Sequence, residues 1–285
     1  DGRMKRSTRP HQLHQPEAPV AVLDAPVSGL ATIQEQFVAH KRKLVEVART
    51  KGPAGTAALA ALVLKDEKGD PVDLSPLHLS WINFVHYAWD HGYYAGILAP
   101  WRHGKSLLGT QLFALREMGH NPDSRIRVLC ADDREAMLRV KVVGRHVTES
   151  LEYRSIFPHV QPDQQASWNE HRFFIKRKSM APDPTLQAAA VFSTEAGGGN
   201  DLILIDDIVT FKNSIYQPAV REQIHMAMNS VWLRRIQPDT RVLSVGTVWH
   251  CDDANMKLRA HGGQKWLWCV QSISDDFSCI ETAIE

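Results

Sequence analysis

Residues 93–115 confine the possible folds more tightly than any other stretch. Tyr93-Tyr94-Ala95-Gly96-Ile97-Leu98 is an apolar run of strand character, followed by Ala99-Pro100-Trp101-Arg102-His103-Gly104-Lys105-Ser106. Leu107, Leu108, Leu112 and Leu115 then recur at helical spacing. A strand, a tight turn and a helix with Gly104-Lys105-Ser106 at the joint match the second half of a phosphate-binding loop. In such a loop, backbone N–H groups at a helix N-terminus cradle phosphate oxygens, a lysine neutralises the terminal phosphates and a hydroxyl holds magnesium. Ala99 stands where the full pattern has its first glycine. The competing reading is an ordinary strand-to-helix turn with an exposed lysine.

Composition leaves room for this site without demanding it. The 285 residues suffice for one large domain with appendages, and 44% hydrophobic with 23% charged residues is ordinary for a globular chain. A net charge of +1 forces no nucleic-acid partner, although local patches still act through their own field. Cys130, Cys251, Cys269 and Cys279 lack metal or redox spacing and read as free thiols in a reducing compartment. No apolar stretch approaches bilayer-spanning length, and no secretory signal is visible.

Along the chain, residues 1–27 read as a flexible arm rich in Pro, Arg, His and Gln. Residues 28–75 read as an N-terminal helical segment, with helices over 30–50 and 56–65 and a turn at Gly69-Asp70-Pro71. Helix is expected again over 76–91. From residue 93 strands alternate with helices. Strands are expected at Arg125–Ala131, Trp168–Arg177, Ala188–Ser193, Leu202–Ile205, Thr240–Gly246 and Lys265–Ile273. Helices are expected from Asp132 or Asp133 to Leu151 and from Ala219 to Ile236. The alternation predicts an α/β fold with three layers and a mostly parallel central sheet over residues 76–275, followed by a tail at 276–285.

A nucleotide site needs a second half, a buried strand ending in a carboxylate. Leu202-Ile203-Leu204-Ile205-Asp206-Asp207 has this Walker B form. Asp206 is expected on magnesium and Asp207 as the general base that polarises water. The plainer reading is a strand end that caps the next helix. A third element is Leu243-Ser244-Val245-Gly246-Thr247-Val248-Trp249-His250-Cys251-Asp252-Asp253. It delivers Thr247 at a strand's carboxyl end, where ligand chemistry collects in open α/β sheets. Thr247 either bonds the γ-phosphate or attacking water, or closes a turn.

Together, Pro100–Ser106, the Asp206-Asp207 strand and Gly246–Asp253 resemble the ATPase domain of the large terminase subunit of tailed bacteriophages. The likeness covers roughly residues 75–275. It implies a P-loop NTPase of the additional-strand type, with an extra strand between those carrying the two Walker motifs. It further implies an ATP-driven motor, with ATP and Mg2+ as cofactors, that packages double-stranded DNA into a procapsid. Portal protein and small terminase subunit would be partners, at the portal vertex in the host cytoplasm. The chain would be a homo-oligomeric ring, a pentamer, when assembled and a monomer in isolation. Thr247 falls in the coupling motif. Two departures stand out: Trp101 precedes Arg102 where the family has Arg directly after Pro, and Val248 replaces an Arg. Such proteins also resemble one another in a nuclease domain, for which residues after 275 are too few. The expectation is a motor without its cutter.

The resulting site has Lys105, Arg102, Asp207 and Thr247 as catalytic residues, and Ser106 and Asp206 on metal. Pro100, Trp101, Arg102, His103, Gly104, Lys105, Ser106 and Leu107 surround the phosphates. His103 either bonds a phosphate or caps locally. His78 and Trp81 lie where the resemblance implies adenine contacts, but equally suit packing. Arg145, Arg154, Arg234 and Arg235 are candidates for an arginine reaching a neighbouring subunit's phosphate, against a solvated helix face. Gly197-Gly198-Gly199 suits a sensing loop or a plain turn. His250, Cys251 and His261 fit no common zinc spacing. Arg139–Arg145 and Arg172–Lys178 are the basic segments available for DNA. Rival functions are a helicase-like DNA-stimulated ATPase, a nucleotide-gated assembly module without turnover, and a small-molecule phosphotransferase.

Overall fold

The computed structural model describes residues 27–193, 198–263, 265–271 and 280–283. The arm at 1–26, Gly197, Cys279 and most of the tail lie outside the described residues. Contacts divide the chain between Lys41 and Arg42 into two units. The first holds the beginning of helix α1 (Val27–Ala48), and the second holds everything that follows.

The second unit begins with helices α2 (Pro53–Val63) and α3 (Pro76–Asp90). Each starts with proline in its first turn, where no intrahelical donor is needed. Strand β1 (Tyr94–Leu98) leads through the loop into a π-helical stretch, Ser106–Gln111, and helix α4 (Leu112–His120). Then come β2 (Ile126–Cys130), α5 (Asp133–Glu149), α6 (Leu151–Ile156), β3 (Arg172–Phe173) and β4 (Leu186–Ala190). The chain continues through β5 (Leu202–Asp206), α7 (Pro218–Ala227), β6 (Arg241–Gly246), α8 (Ala254–His261), β7 (Trp266–Gln271) and β8 (Ile280–Ala283).

The strands form one sheet in the order β3-β4-β2-β5-β6-β1-β7-β8. From β4 to β7 neighbours run parallel, and β3 and β8 are antiparallel edges. Strands β1, β2 and β5 are buried at every position, as the mostly apolar runs of β1 and β5 require in a sheet covered on both faces; β2 buries Arg127 among its apolar residues. One apolar cluster joins α2, α3, α4 and α5 to the sheet through residues such as Leu59, Trp81, Leu112 and Val143. On the other face Ile203, Ile224, Trp232 and Leu258 form a second cluster under α7 and α8.

Several expectations differ from the structure in extent, among them the strand expected over 188–193, which is β4 at Leu186–Ala190. The strand expected over 168–177 shrinks to Arg172–Phe173 with isolated bridges at Trp168–Phe173 and Pro162–Ile175. Phe173 and Ile175 are buried, yet the segment between them and β4 carries Pro182 and Pro184, which cannot donate to a ladder. The helix expected from 132 to 151 stops at Glu149, because the Ser150 hydroxyl accepts from Tyr153 N–H and starts α6. The helix expected over 219–236 is α-helical only to Ala227, then π-helical and 3-10 to Arg235.

Candidate active site

Register fixes the site before any side chain is considered. Leu98 pairs with Gly246, and Val245 pairs with Asp206, so the carboxyl ends of β1, β6 and β5 lie level. β6 separates the other two. The residues that follow these strands therefore emerge side by side at one rim: the loop from Ala99, Thr247 and Asp207.

Within the loop, positive φ falls at Arg102 (64°) and Gly104 (74°). Glycine adopts that conformation without penalty, whereas arginine is strained there. Ala99 keeps a negative φ and is buried, its N–H donating to Gly246 C=O at 3.1 Å. The first-glycine position of the pattern thus needs no glycine in this chain. Trp101 is 65% exposed, and the Arg102 guanidinium lies over its ring at 4.6 Å. His103 Nδ1 lies 2.9 Å from Trp101 C=O.

Lys105 is buried, and its Nζ donates to Pro100 C=O at 2.7 Å and to Thr247 Oγ1 at 2.9 Å. Burial lowers its pKa, and the carboxylates of Asp207 and Asp206 act against that shift. Thr247 in turn donates to Ala99 C=O at 3.3 Å. Asp253 supports this end of β6. It is fully buried, accepts from Trp249 and His250 N–H, and caps α8 by accepting from Met256 N–H.

Ser106 Oγ donates to Asp206 Oδ1 at 2.8 Å, joining two motifs a hundred residues apart in the chain. Asp206 also accepts from Arg139 Nε at 2.7 Å, and Arg139 Nη2 donates to Ser106 Oγ at 3.2 Å. Arg139 comes from α5, within the basic segment Arg139–Arg145. Its place in the site follows only from the folded proximity of α5 and β5. Of the other segment, Arg177 turns back onto the carbonyls of Ala181 and Asp183.

Asp207 has φ 47°, a costly conformation for a non-glycine residue. Its N–H donates to Val245 C=O at 3.0 Å, and its buried Oδ1 makes no hydrogen bond. Burial, with the adjacent Asp206 charge, raises its carboxyl to about 6, against the pull of Lys105 and Arg139. A strained, desolvated carboxylate with an open acceptor is suited to taking a proton.

A cleft of about 1330 Å³ opens over these groups, reaching from Lys105, Arg139 and Asp207 to the Lys65–Gly69 turn and the start of α6. Leu107 lines it. Arg145 lines it too, paired with Glu149 on its own helix. His78 and Trp81 do not line it. The His78 ring accepts from Ser75 N–H in a reciprocal cap at the start of α3, and Trp81 is buried in the core. Arg154 and Arg234 are exposed away from the cleft lining. The oxygen pair of Ser106 and Asp206 suits a hard divalent cation. Magnesium at phosphate sites takes one or two protein oxygens, with phosphates and water completing its shell. Among the described residues no group of three or more His, Cys, Asp or Glu side chains offers a cage made by protein alone. No helix among them is long and apolar enough to cross a membrane.

Family models and curated proteins give no match to the sequence. Among solved structures, the fold matches the crystal structure of the HK97 bacteriophage large terminase with a TM-score of 0.54 at 13% identity. The match covers 80% of this chain and 45% of that one, so this chain spans less than half the length of that terminase. The chain therefore has a terminase-like α/β fold.

Proposed function

We propose that this chain is an ATP-hydrolysing motor domain of the large-terminase kind, with a P-loop NTPase core, that drives double-stranded DNA into a procapsid. The observation that carries the reading is the Ser106–Asp206 hydrogen bond at 2.8 Å, with Lys105 on Thr247 beside it. Three motifs that sequence reads independently emerge at one rim, and Lys105, Ser106 and Asp207 from the first two line one cleft. The position of β6 between β1 and β5 supports the additional-strand class.

In this reading Lys105 and the N–H groups of Arg102–Ser106 hold the triphosphate. Ser106 and Asp206 would hold magnesium, which supplies charge neutralisation at the phosphates. Asp207 orients water and accepts its proton through the free Oδ1. Thr247 contacts the Lys105 ammonium and so senses loss of the terminal phosphate. Binding energy from the cleft positions substrate, and burial of Lys105 strengthens its attraction to phosphate relative to an exposed lysine. Portal protein, small terminase subunit and a ring of copies are the partners that this function requires.

Phosphate release, measured with and without double-stranded DNA, tests the proposal. Lys105→Ala is expected to abolish hydrolysis. Asp207→Asn is expected to retain ATP binding and lose turnover by about 10²–10⁴-fold. Normal turnover by Asp207→Asn would refute the base assignment. ATP binding without any phosphate release in the wild type would favour a nucleotide-gated assembly module instead.

A further inference from the structure

Arg139 is the one strongly placed cation at the rim that no motif supplies. Its guanidinium spans Asp206 Oδ2 and Ser106 Oγ at 2.7 and 3.2 Å, touching the hydroxyl assigned above to magnesium and the second oxygen of the carboxylate whose Oδ1 accepts from that hydroxyl. A magnesium ion bound to Ser106 Oγ would stand about 2.1 Å from an oxygen that Arg139 already contacts. Two cations would then compete for one carboxylate and one hydroxyl in a region of low dielectric, where like charges repel strongly. The Asp206 side chain has no solvent exposure, so it needs one of the two to be neutralised.

We propose that Arg139 is an internal placeholder for magnesium: it holds Asp206 and Ser106 in ligating position and yields them when the metal arrives with nucleotide. The guanidinium fork suits this, since one arm contacts the carboxylate and the other the hydroxyl. Glu135 lies one turn back on α5, at the spacing that favours an acid before a base, and offers the displaced arginine a second carboxylate. Arg139 thus tunes how much free magnesium the site requires and keeps the buried acid paired throughout. The inference rests on the nucleotide reading of the site.

The test titrates buffered free Mg2+ against binding of a fluorescent ADP analogue by the whole chain, with no turnover required. Arg139→Gln removes the competing charge. Its half-saturating Mg2+ is expected to fall about tenfold, equivalent to about 1.4 kcal/mol. Melting temperature gives a second readout: the variant loses stability in EDTA and recovers most of it with Mg2+ and ADP. An arginine that merely braces the fold would lower both melting temperatures alike and leave the Mg2+ midpoint where it was. Arg139→Lys keeps the charge but not the fork, so its midpoint should fall between the other two; it also serves if the glutamine variant does not fold. An unchanged or higher midpoint overturns the placeholder while leaving the nucleotide site intact. A wild-type chain that binds no ADP at any Mg2+ concentration overturns both.

Discussion

Gly109 tests whether the helix after the loop is seated directly on β6. A Cβ built at this position would lie 2.5 Å from Val245 Cγ1 and 3.3 Å from Cγ2. Carbon atoms in contact prefer about 3.5–4.0 Å, so Gly109→Ala must push the helix and strand apart by roughly 1 Å. Overpacking of this kind costs about 1–3 kcal/mol. Alanine's better helix propensity returns about 1 kcal/mol, leaving a net loss of roughly 0–2 kcal/mol. Val245→Ala alone deletes the opposing methyl groups from a buried site and should cost about 2 kcal/mol. In the double variant the new methyl occupies the room vacated by the old ones. Its loss should therefore fall at least about 1 kcal/mol short of the sum. Urea midpoints and slopes for the four proteins measure this, and ADP binding adds a functional readout, because the displaced helix carries Ser106 away from Asp206. Additivity within about 0.5 kcal/mol would refute direct packing of helix on strand as the reason for glycine.

Two further outcomes follow from polar contacts. Thr247→Val removes the hydroxyl that accepts from Lys105 at 2.9 Å, and is expected to lower kcat at least tenfold with KM changed less than about threefold, read by steady-state phosphate release. His86 is buried beside Thr56 at 2.8 Å, with Arg116 on the same hydroxyl, and burial foremost lowers its pKa to about 4. Because the unfolded histidine titrates near 6.5, its contribution is complete above that pH and is lost as pH falls toward 4. The loss is capped at about 3 kcal/mol. Melting temperature between pH 6.5 and 4 should fall less in His86→Gln than in wild type, and parallel profiles would contradict the assignment.

Sequence carried the frame of the molecule well where chemistry is local. The apolar run Leu202–Ile205 is typical of a doubly covered strand, and it is the buried β5. Gly104-Lys105-Ser106 stands at the joint of β1 and a helix, as expected of its flanks. What escaped was set by neighbours distant in the chain. Arg139 reaches Asp206 across 67 residues, and nothing in its local run distinguishes it from Lys141 or Arg145. His78 shows a second kind of distant neighbour: its Nδ1 accepts from Ser75 N–H in the cap of α3, while its Nε2 faces Gly104 of the loop. The helix beginning at Asp133 ends two residues before the expected boundary, where the Ser150 hydroxyl accepts from Tyr153 N–H and starts α6.

The placement of β6 has a consequence for biosynthesis. β1 and β5 leave the ribosome well before Arg241–Gly246, the strand that must slot between them. Until then each lacks a partner on that flank, with unpaired backbone donors and acceptors of the kind that recruit stray strands. The carboxyl ends of β1 and β5 are brought level only once that strand is in place, so a nascent chain without it lacks the assembled rim. A translation product halted before Arg241 should accumulate as aggregate or chaperone client, not as a partly folded soluble domain.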